Sequence, residues 1–399
     1  MSFQQGLSGL NASSRNLDVI GHNIANANTT GMKASRAEFS ELYAGNIGTS
    51  GGTAAGIGVA VSTVSQQFSQ GNITTTGNSL DVSINGAGFF TVAQPNGDLA
   101  YTRAGNFKLD AAGNIITNDG AKLQGDIIDP VTGAISKGAL TVPTGKGVAG
   151  KETTTGKLEL NLDTRAPVAA NQVPPTPTTT YGTSLNVYDK QGTAIPVNLY
   201  FVKTGPNTWN AYTKPDASDT PKELTFDTSG KLTTSPATMT LTGLQNAGST
   251  SDPVTVAFDL SGMTQNASSF AVSDLKQNGY APGQLTGMSI ENDGTLTTRY
   301  SNGQTQSAGR VTLSNFRNVQ GLEVSNGGYW KQTASSGAPI TSNPGSGSFG
   351  QLRSGALEDS TVDLTGELVN MMTAQRAYQA NAQTIKTQDQ VMSTLVNLR

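Results

Sequence analysis

The sequence predicts a multidomain α+β protein. A coiled-coil-like pair of N- and C-terminal helices forms an inner core, and two nested all-β domains lie between them in the chain. Apolar residues recur every seven positions near both ends of the 399 residues, whereas the middle shows period-two alternation broken by glycine-containing turns. A chain of this length accommodates about two to four domains.

Residues 2–28 are predicted to form one helix. Phe3, Leu10, Leu17 and Ile24 are seven apart, and Leu7 fills the alternate spacing. An apolar period of 3.5 residues is typical of a coiled coil, which needs a partner helix along its length. Gly31 follows this stretch and suits a left-handed position at the end of the helix.

The last helix is predicted from Val362 to Arg399, with Asp363 and Glu367 favouring its first turns through the helix dipole. Its apolar residues repeat as in the first helix, and we call both sets the heptad residues. The C-terminal set is Leu364, Leu368, Met371, Tyr378, Ile385, Met392 and Val396, with Ala382 between them. An amphipathic helix on a globular core is the alternative. The polar flanks favour assembly with other copies, and both arrangements can hold together.

Residues 1–30 and 362–399 therefore form the predicted helical core domain. Residues 31–70, with 355–361, are predicted to be a connecting segment that takes its order from its neighbours. It contains a short amphipathic piece at 39–43 and a flexible run at 48–52.

Two β domains are predicted between the helices. The inner one comprises residues 71–144 with 281–354, and the outer one comprises residues 145–280. Alternating apolar residues mark the strands, and Asn96-Gly97 is a strong hairpin signal. The proline-rich run at 173–177 is predicted to be extended and exposed, because proline cannot donate to a strand ladder.

Composition narrows the possible partners. Charged residues make up only 13% of the chain and the net charge is −3, which argues against nucleic acid and anionic membranes. The chain has no cysteine, so disulfides, thiolate metal sites and cysteine catalysis are excluded. No apolar run reaches membrane-spanning length. The first residues lack the features of a secretory signal, so we expect any export to proceed without a cleaved leader.

Catalytic and cofactor motifs are not found. The single histidine, His22, cannot build a histidine metal site or a catalytic triad with so few partners. Gly145-Lys146 is followed by glycine rather than serine or threonine, so it is not a phosphate loop. We expect no enzyme activity, no cofactor and no metal site.

Aromatic residues cluster in the middle of the chain. They are Tyr188, Tyr200, Phe201, Trp209 and Tyr212. Aromatic residues on strands are mostly core residues, and we expect that role here. A platform for sugars is the alternative, and it would make the chain a surface adhesin or glycan-binding protein.

One motif after the first helix resembles a known signature. The run from Asn23 to Lys33 is similar to the one that closes the N-terminal helix of bacterial flagellar rod and hook proteins. Its polar and glycine positions carry the likeness, namely Asn23, Asn26, Asn28, Thr30, Gly31 and Lys33. Residues 355–382 resemble the matching C-terminal signature, and residues 83–90 with 101–107 resemble the first β domain of the family.

The resemblance covers the chain end to end, and the length and inserted middle block favour a hook subunit over the shorter distal rod proteins. It implies a homo-oligomeric, curved hollow tube that acts as a universal joint between rod and filament. The implied partners are the distal rod, hook cap and hook–filament junction proteins. Subunits would pass through the flagellar type III export apparatus to an extracellular position in the flagellum. Another rod or hook-associated axial protein is the alternative within the family.

Overall fold

The structure is a computed structural model that describes residues 3–43, 56–128, 133–143, 147–169, 180–213, 220–246 and 252–397. The chain divides into two compact units. The first contains residues 1–145, 287–298 and 305–399, and the second contains residues 146–286 and 299–304. In the described part of the chain, no helix is both long enough and apolar enough to cross a bilayer.

Two helices lie at the ends of the chain, α1 (Phe3–Ala25) and α2 (Leu364–Asn397). The strands before the second unit are β1 (Ser35–Tyr43), β2 (Gly56–Gln66), β3 (Ile73–Thr75), β4 (Val82–Asn85), β5 (Phe89–Ala93), β6 (Leu99–Thr102), β7 (Lys108–Leu109), β8 (Ile115–Ile116), β9 (Lys122–Ile128) and β10 (Ile135–Ala139). Those of the second unit are β11 (Thr155–Asp163), β12 (Thr180–Tyr188), β13 (Ala194–Gly205), β14 (Thr208–Tyr212), β15 (Lys222–Thr225), β16 (Thr238–Leu244), β17 (Val254–Asp259), β18 (Thr264–Asn266) and β19 (Ala271–Gln277). The remaining strands are β20 (Leu285–Ile290), β21 (Thr295–Tyr300), β22 (Thr305–Val311), β23 (Leu313–Asn315), β24 (Glu323–Ser325), β25 (Tyr329–Lys331), β26 (Ile340–Ser342), β27 (Gln351–Ser354) and β28 (Ala356–Glu358).

The multidomain α+β class predicted from the sequence is confirmed. The main sheet of the first unit has 13 strands, with the path β20-β21-β22-β9-β5-β6-β25-β24. The predicted hairpin at Asn96-Gly97 joins β5 to β6, and Gly97 has a φ of +90°. An aromatic cluster of Phe89, Tyr101, Phe316 and Trp330 packs on this sheet.

The second unit has two sheets, β16-β17-β11-β18 with β19, and β12-β13-β14-β15. Alternate residues of both sheets contribute to one apolar core, as in a β-sandwich. Phe201, Trp209 and Tyr212 are fully buried, so the prediction that these aromatics are core residues is confirmed. Tyr188 and Tyr200 are half-buried. The proline-rich run at 173–177 lies outside the described residues.

The connecting segment, predicted to take its order from its neighbours, also has a ladder of its own. β1 and β2 pair along their length as an antiparallel ribbon, with irregularities after Glu38 and Leu42. The ladder pairs the backbone groups that face each other, and α1 bonds the ribbon as well, through Gln5 Nε2 to the Gly56 carbonyl oxygen (2.6 Å) and through the Val59 N–H to Ser8 Oγ (3.3 Å). Sequence patterning missed the ladder because the glycine-rich run separates the two strands. That run, residues 48–52, lies outside the described residues.

Candidate assembly surface and the ion cluster that supports it

The N-terminal motif begins at the end of α1. The amide of Asn26 donates to the carbonyl oxygens of His22 (3.2 Å) and Asn23 (3.1 Å), and its side chain also donates to His22 (2.9 Å). The helix therefore ends at Ala25, several residues before Gly31. Gly31 has the predicted left-handed backbone, with a φ of +71°, but it does not end the helix, because Asn26 bonds the His22 and Asn23 carbonyl oxygens at that point.

Asn23 joins α1 to two other elements. Its buried amide group donates to the Ser35 carbonyl oxygen (2.8 Å) and to Glu367 Oε1 (3.1 Å), and its oxygen accepts from the Ser35 N–H (2.9 Å). The start of β1 and the first turns of α2 are thus held by one side chain. Asparagine alone supplies both donor and acceptor at this length, which gives the motif position a physical reason.

Gly31 lies where two chain segments touch. It has a φ of +71°, and its N–H donates to the Glu358 carbonyl oxygen at 2.8 Å. A Cβ at this position would lie 2.6 Å from the backbone of Arg103 and Ala104. Glycine is therefore required both by the backbone conformation and by the close approach of the neighbouring loop.

Replacing Gly31 by alanine is expected to destabilise the first unit by about 2–4 kcal/mol, since backbone strain adds to overpacking. Gly97→Ala is the matched control, because Gly97 has a φ of +90° but nothing within 4 Å of its Cβ position. Urea unfolding of both variants measures the difference. Equal losses of stability in the two variants would show that the contact with Arg103 has no energetic weight.

Lys33 is the last motif residue and belongs to a buried group of three charges, which we call the ion cluster (Lys33, Arg103 and Glu358). Lys33 Nζ lies 2.6 Å from Glu358 Oε1, and Arg103 Nη1 lies 3.1 Å from Glu358 Oε2. Lys33 is 1% exposed and Glu358 is 0% exposed. Three segments that are far apart in the sequence meet at this point.

Further hydrogen bonds complete the ion cluster. Lys33 Nζ also donates to the Ser69 carbonyl oxygen (2.6 Å), and the Gly71 N–H donates to Glu358 Oε1 (2.9 Å). Arg103 Nη2 donates to the Gly86 carbonyl oxygen (2.8 Å), and its guanidinium lies 5.4 Å from the centre of the Phe89 ring. Arg103 Nε has no partner among the described residues. Burial lowers the pKa of both Lys33 and Arg103, while Glu358 opposes this by favouring their charged forms.

The segment that follows α1 and the segment that precedes α2 are joined at the ion cluster. Next to the Lys33–Glu358 pair, the Ala34 N–H donates to Thr361 Oγ1 at 2.9 Å, and the Thr361 N–H donates to the Met32 carbonyl oxygen at 3.1 Å. Arg103 and Glu358 lie within the family-like runs 101–107 and 355–382, but neither was predicted to have a role of its own. Arg103 is the one charged residue of its run, which is a local signal, whereas Glu358 is followed by Asp359 and has no such signal.

The two helices lie against each other and run antiparallel. The Cβ position of Gly6 is 3.0 Å from Ile385, that of Gly9 is 2.9 Å from Asn381, and Asn23 bonds Glu367. Asn381 also donates to Ser13 Oγ at 3.3 Å. These contacts use glycine and polar side chains, which let the backbones approach closely.

Most heptad residues remain on the outside of this helix pair. Seven of them are exposed: Phe3, Leu7, Leu364, Leu368, Tyr378, Met392 and Val396. The other five, Leu10, Leu17, Ile24, Met371 and Ile385, are half-buried. A single chain therefore leaves an apolar stripe in water at its helical end. Exposed apolar stripes of this kind mark interaction surfaces.

The remaining motif residues, Asn28 and Thr30, make no comparable bonds to the part of the chain that the structure describes. Asn28 and Thr30 line a shallow groove with Asp359 and Asp363. Within the described ranges, no group of three or more histidine, cysteine, aspartate or glutamate side chains is arranged to hold a metal ion.

Comparison with known proteins gives four matched segments. Residues 3–33 match the family "Flagella basal body rod protein", and residues 353–398 match "Flagellar basal body rod FlgEFG protein C-terminal". Residues 83–154 match "Flagellar hook protein FlgE/F/G D1 domain", and residues 161–280 match "Flagellar basal body protein FlaE D2 domain". The ion cluster thus takes one residue from each of three matched segments.

Among complete relatives, the chain is 42% identical to the flagellar hook protein FlgE of Salmonella typhimurium, with 100% of both chains covered. The chain belongs to the flagellar hook protein family. It is 42% identical to the flagellar hook protein FlgE of Escherichia coli, with 100% of both chains covered. It is 30% identical to the flagellar hook protein FlgE of Borreliella burgdorferi, with 100% of this chain and 99% of that protein covered.

A solved structure extends the likeness to the fold. The hook protein FlgE2 of Helicobacter pylori aligns with a TM-score of 0.53 at 14% identity, covering 70% of this chain and 99% of that one. This member of the hook family is a structural subunit of the bacterial flagellar hook, with a role in motility. It works within a polymeric assembly with other flagellar components.

Proposed function

We propose that many copies of this chain assemble into a curved hollow tube, which acts as a universal joint and transmits motor torque from rod to filament. The exposed heptad residues carry this proposal, because α1 and α2 leave seven large apolar side chains in water although the helices already pair with each other. Burial of this surface between neighbouring copies would stabilise the assembly.

The heptad residues are the proposed assembly interface, and we infer a division of labour around them. The helical core domain, residues 1–30 with 362–399, would resist twisting through continuous apolar contact. Within the connecting segment (31–70 with 355–361), residues 34–70 would let subunits slide. The inner β domain (71–144 with 281–354) and outer β domain (145–280) would slide against neighbours, since hydrated polar contacts rearrange easily.

The ion cluster suits this task because it stiffens the place where both helices leave the β structure. Torque applied to the helices would otherwise unwind the segments around Met32 and Thr361. Three buried charges with directional hydrogen bonds resist such rearrangement, since breaking one contact leaves a charge without a partner.

The hook location leads us to expect an extracellular position reached without a cleaved leader, through the flagellar type III export apparatus. The distal rod, hook cap and hook–filament junction proteins are the proposed specific partners. We expect no catalytic activity, because the ion cluster is buried and its Glu358 carboxylate is already bonded by both Lys33 and Arg103.

Electron microscopy of the full chain under polymerising conditions tests this function. We expect hollow tubes that bend without breaking. Straight, rigid rods would favour a rod-type subunit instead. Binding of oligosaccharides without any polymer would favour the adhesin alternative, which the burial of Phe201, Trp209 and Tyr212 already argues against.

A further inference from the structure

The chain contains five Asn-Gly pairs, and such pairs can convert asparagine to aspartate without an enzyme. They are Asn85-Gly86, Asn96-Gly97, Asn278-Gly279, Asn302-Gly303 and Asn326-Gly327. Glycine favours this reaction because it has no side chain to obstruct the approach of its own nitrogen. The reaction requires that this nitrogen and the asparagine amide are both free to move.

In four of the pairs the glycine nitrogen is held by an acceptor. Gly86 donates to Gln70 Oε1 (3.0 Å) and Gly279 donates to Gln277 Oε1 (2.5 Å). Gly97 donates to the Gln94 carbonyl oxygen (2.8 Å) and Gly303 donates to the Tyr300 carbonyl oxygen (3.0 Å).

The asparagine side chains of the same four pairs are also held. Asn96 Nδ2 donates to Asp98 at 2.9 Å, Asn302 Nδ2 donates to the Ala281 carbonyl oxygen at 2.7 Å, and Asn278 Nδ2 donates to Thr154 Oγ1 at 2.9 Å. The Asn85 oxygen accepts from Gln70 Nε2 at 3.3 Å. Each pair would have to break hydrogen bonds before it could react.

Asn326-Gly327 differs from the other four in both respects. Within the described residues, neither the Asn326 side chain nor the Gly327 N–H has a hydrogen-bond partner. The pair lies in the turn between β24 and β25, Asn326 is exposed, and Gly327 and Gly328 have φ values of +81° and +76°. We propose that Asn326 is a site of spontaneous deamidation and isoaspartate formation in this protein.

The reaction needs only water as a co-reactant. The Gly327 nitrogen attacks Cγ of Asn326, a C–N bond forms, and the Cγ–Nδ2 bond breaks. The Gly327 proton leaves with Nδ2 as ammonia, and a five-membered succinimide remains. Water then adds to either succinimide carbonyl and opens the ring, which gives aspartate or isoaspartate.

The product changes a groove of the first unit. Asn326 lines this groove of about 460 Å³ together with His22, Asn26 and Trp330. Deamidation adds one negative charge there, and isoaspartate also lengthens the turn by one backbone carbon. The Gly328 carbonyl oxygen, which accepts from Thr102 Oγ1 at 3.3 Å, would be displaced.

The proposal is tested by incubating the folded full chain at neutral pH and mapping its peptides by mass spectrometry. The peptide with Asn326 should exchange its amide for a carboxyl group about tenfold faster than those with Asn96 and Asn302, since these must first open two hydrogen bonds. The Asn326→Gln variant should abolish the change in that peptide, because glutamine would need a six-membered ring.

The same chain in guanidinium chloride is the control, and there the five pairs should react at similar rates. Equal rates at Asn326, Asn96 and Asn302 in the folded chain would overturn the proposal. A faster deamidation of Asn326 that persists by the same factor in guanidinium chloride would also overturn it, because the fold would then not be the cause.

Discussion

Replacing Glu358 by glutamine is expected to lower the free energy of unfolding of the first unit by about 3–5 kcal/mol, because two buried cations lose the carboxylate that both of them bond. Lys33 and Arg103 both bond this side chain, and both lie in a place from which water is excluded. A loss of this size is a large part of the stability of an ordinary domain. Urea unfolding followed by circular dichroism measures it.

Glu38→Gln is the matched control for this change. Glu38 also pairs with an arginine, Arg36, at 3.0 Å, but these two side chains are 66% (Arg36) and 41% (Glu38) exposed, whereas Glu358 is fully buried. An exposed pair contributes little, so this variant should unfold almost like the native chain. A similar small loss in Glu358→Gln would show that the ion cluster does not hold the first unit together.

The difference in free energy of unfolding between the native chain and Glu358→Gln should shrink as the pH rises towards 10.5, the ordinary lysine pKa. Burial lowers the pKa of Lys33 and Glu358 opposes that lowering, so the variant lowers this pKa further. Between the lowered pKa and 10.5, the unfolded state binds more protons than the folded state, and stability rises with pH. This rise begins at a lower pH in the variant, so the variant regains part of its lost stability and the difference from the native chain becomes smaller. A gap that stays constant would contradict the assignment to Lys33.

Placing aspartate at Leu368 or Met392 is expected to abolish tube formation while leaving the single chain folded. Both side chains are more than half exposed in the single chain, at 51% and 55%, so the charge remains in water there. Buried between copies, the same carboxylate would lose its hydration without gaining a partner. Sedimentation and electron microscopy under polymerising conditions measure the loss.

Gln383→Asp is the control for charge, because Gln383 is exposed on α2 and is not a heptad residue. This variant should form normal tubes. Circular dichroism of all three variants should match that of the native chain. Normal tubes from both Leu368→Asp and Met392→Asp would show that the heptad residues are not the assembly interface.

Sequence patterning anticipated the elements whose signals are local. Period-two alternation identified the strands around Leu158 and Phe201, and Asn96-Gly97 identified a hairpin, because turn chemistry and side-chain alternation need only neighbouring residues. The two terminal helices were recognised from their seven-residue repeat, with ends within a few residues of those observed.

The features that depend on distant residues could not be predicted in this way. Glu358 and Arg103 are 255 residues apart, and no periodicity links them. The antiparallel helix contact uses Gly6 and Gly9, which sequence rules count only as weak helix formers. The pairing of β1 with β2 likewise escaped prediction, because a long segment separates the strands.

The exposed heptad residues are expected to become buried between copies of the chain. Because the chain has no cysteine, Met392→Cys introduces a single reactive thiol on this surface. Its rate of maleimide labelling should be high in the dissociated chain and strongly reduced in assembled tubes. The reference is Ile135→Cys, at a position in β10 that is 68% exposed, and its labelling rate should change much less on assembly. Equally fast labelling of Met392→Cys before and after assembly would contradict the account.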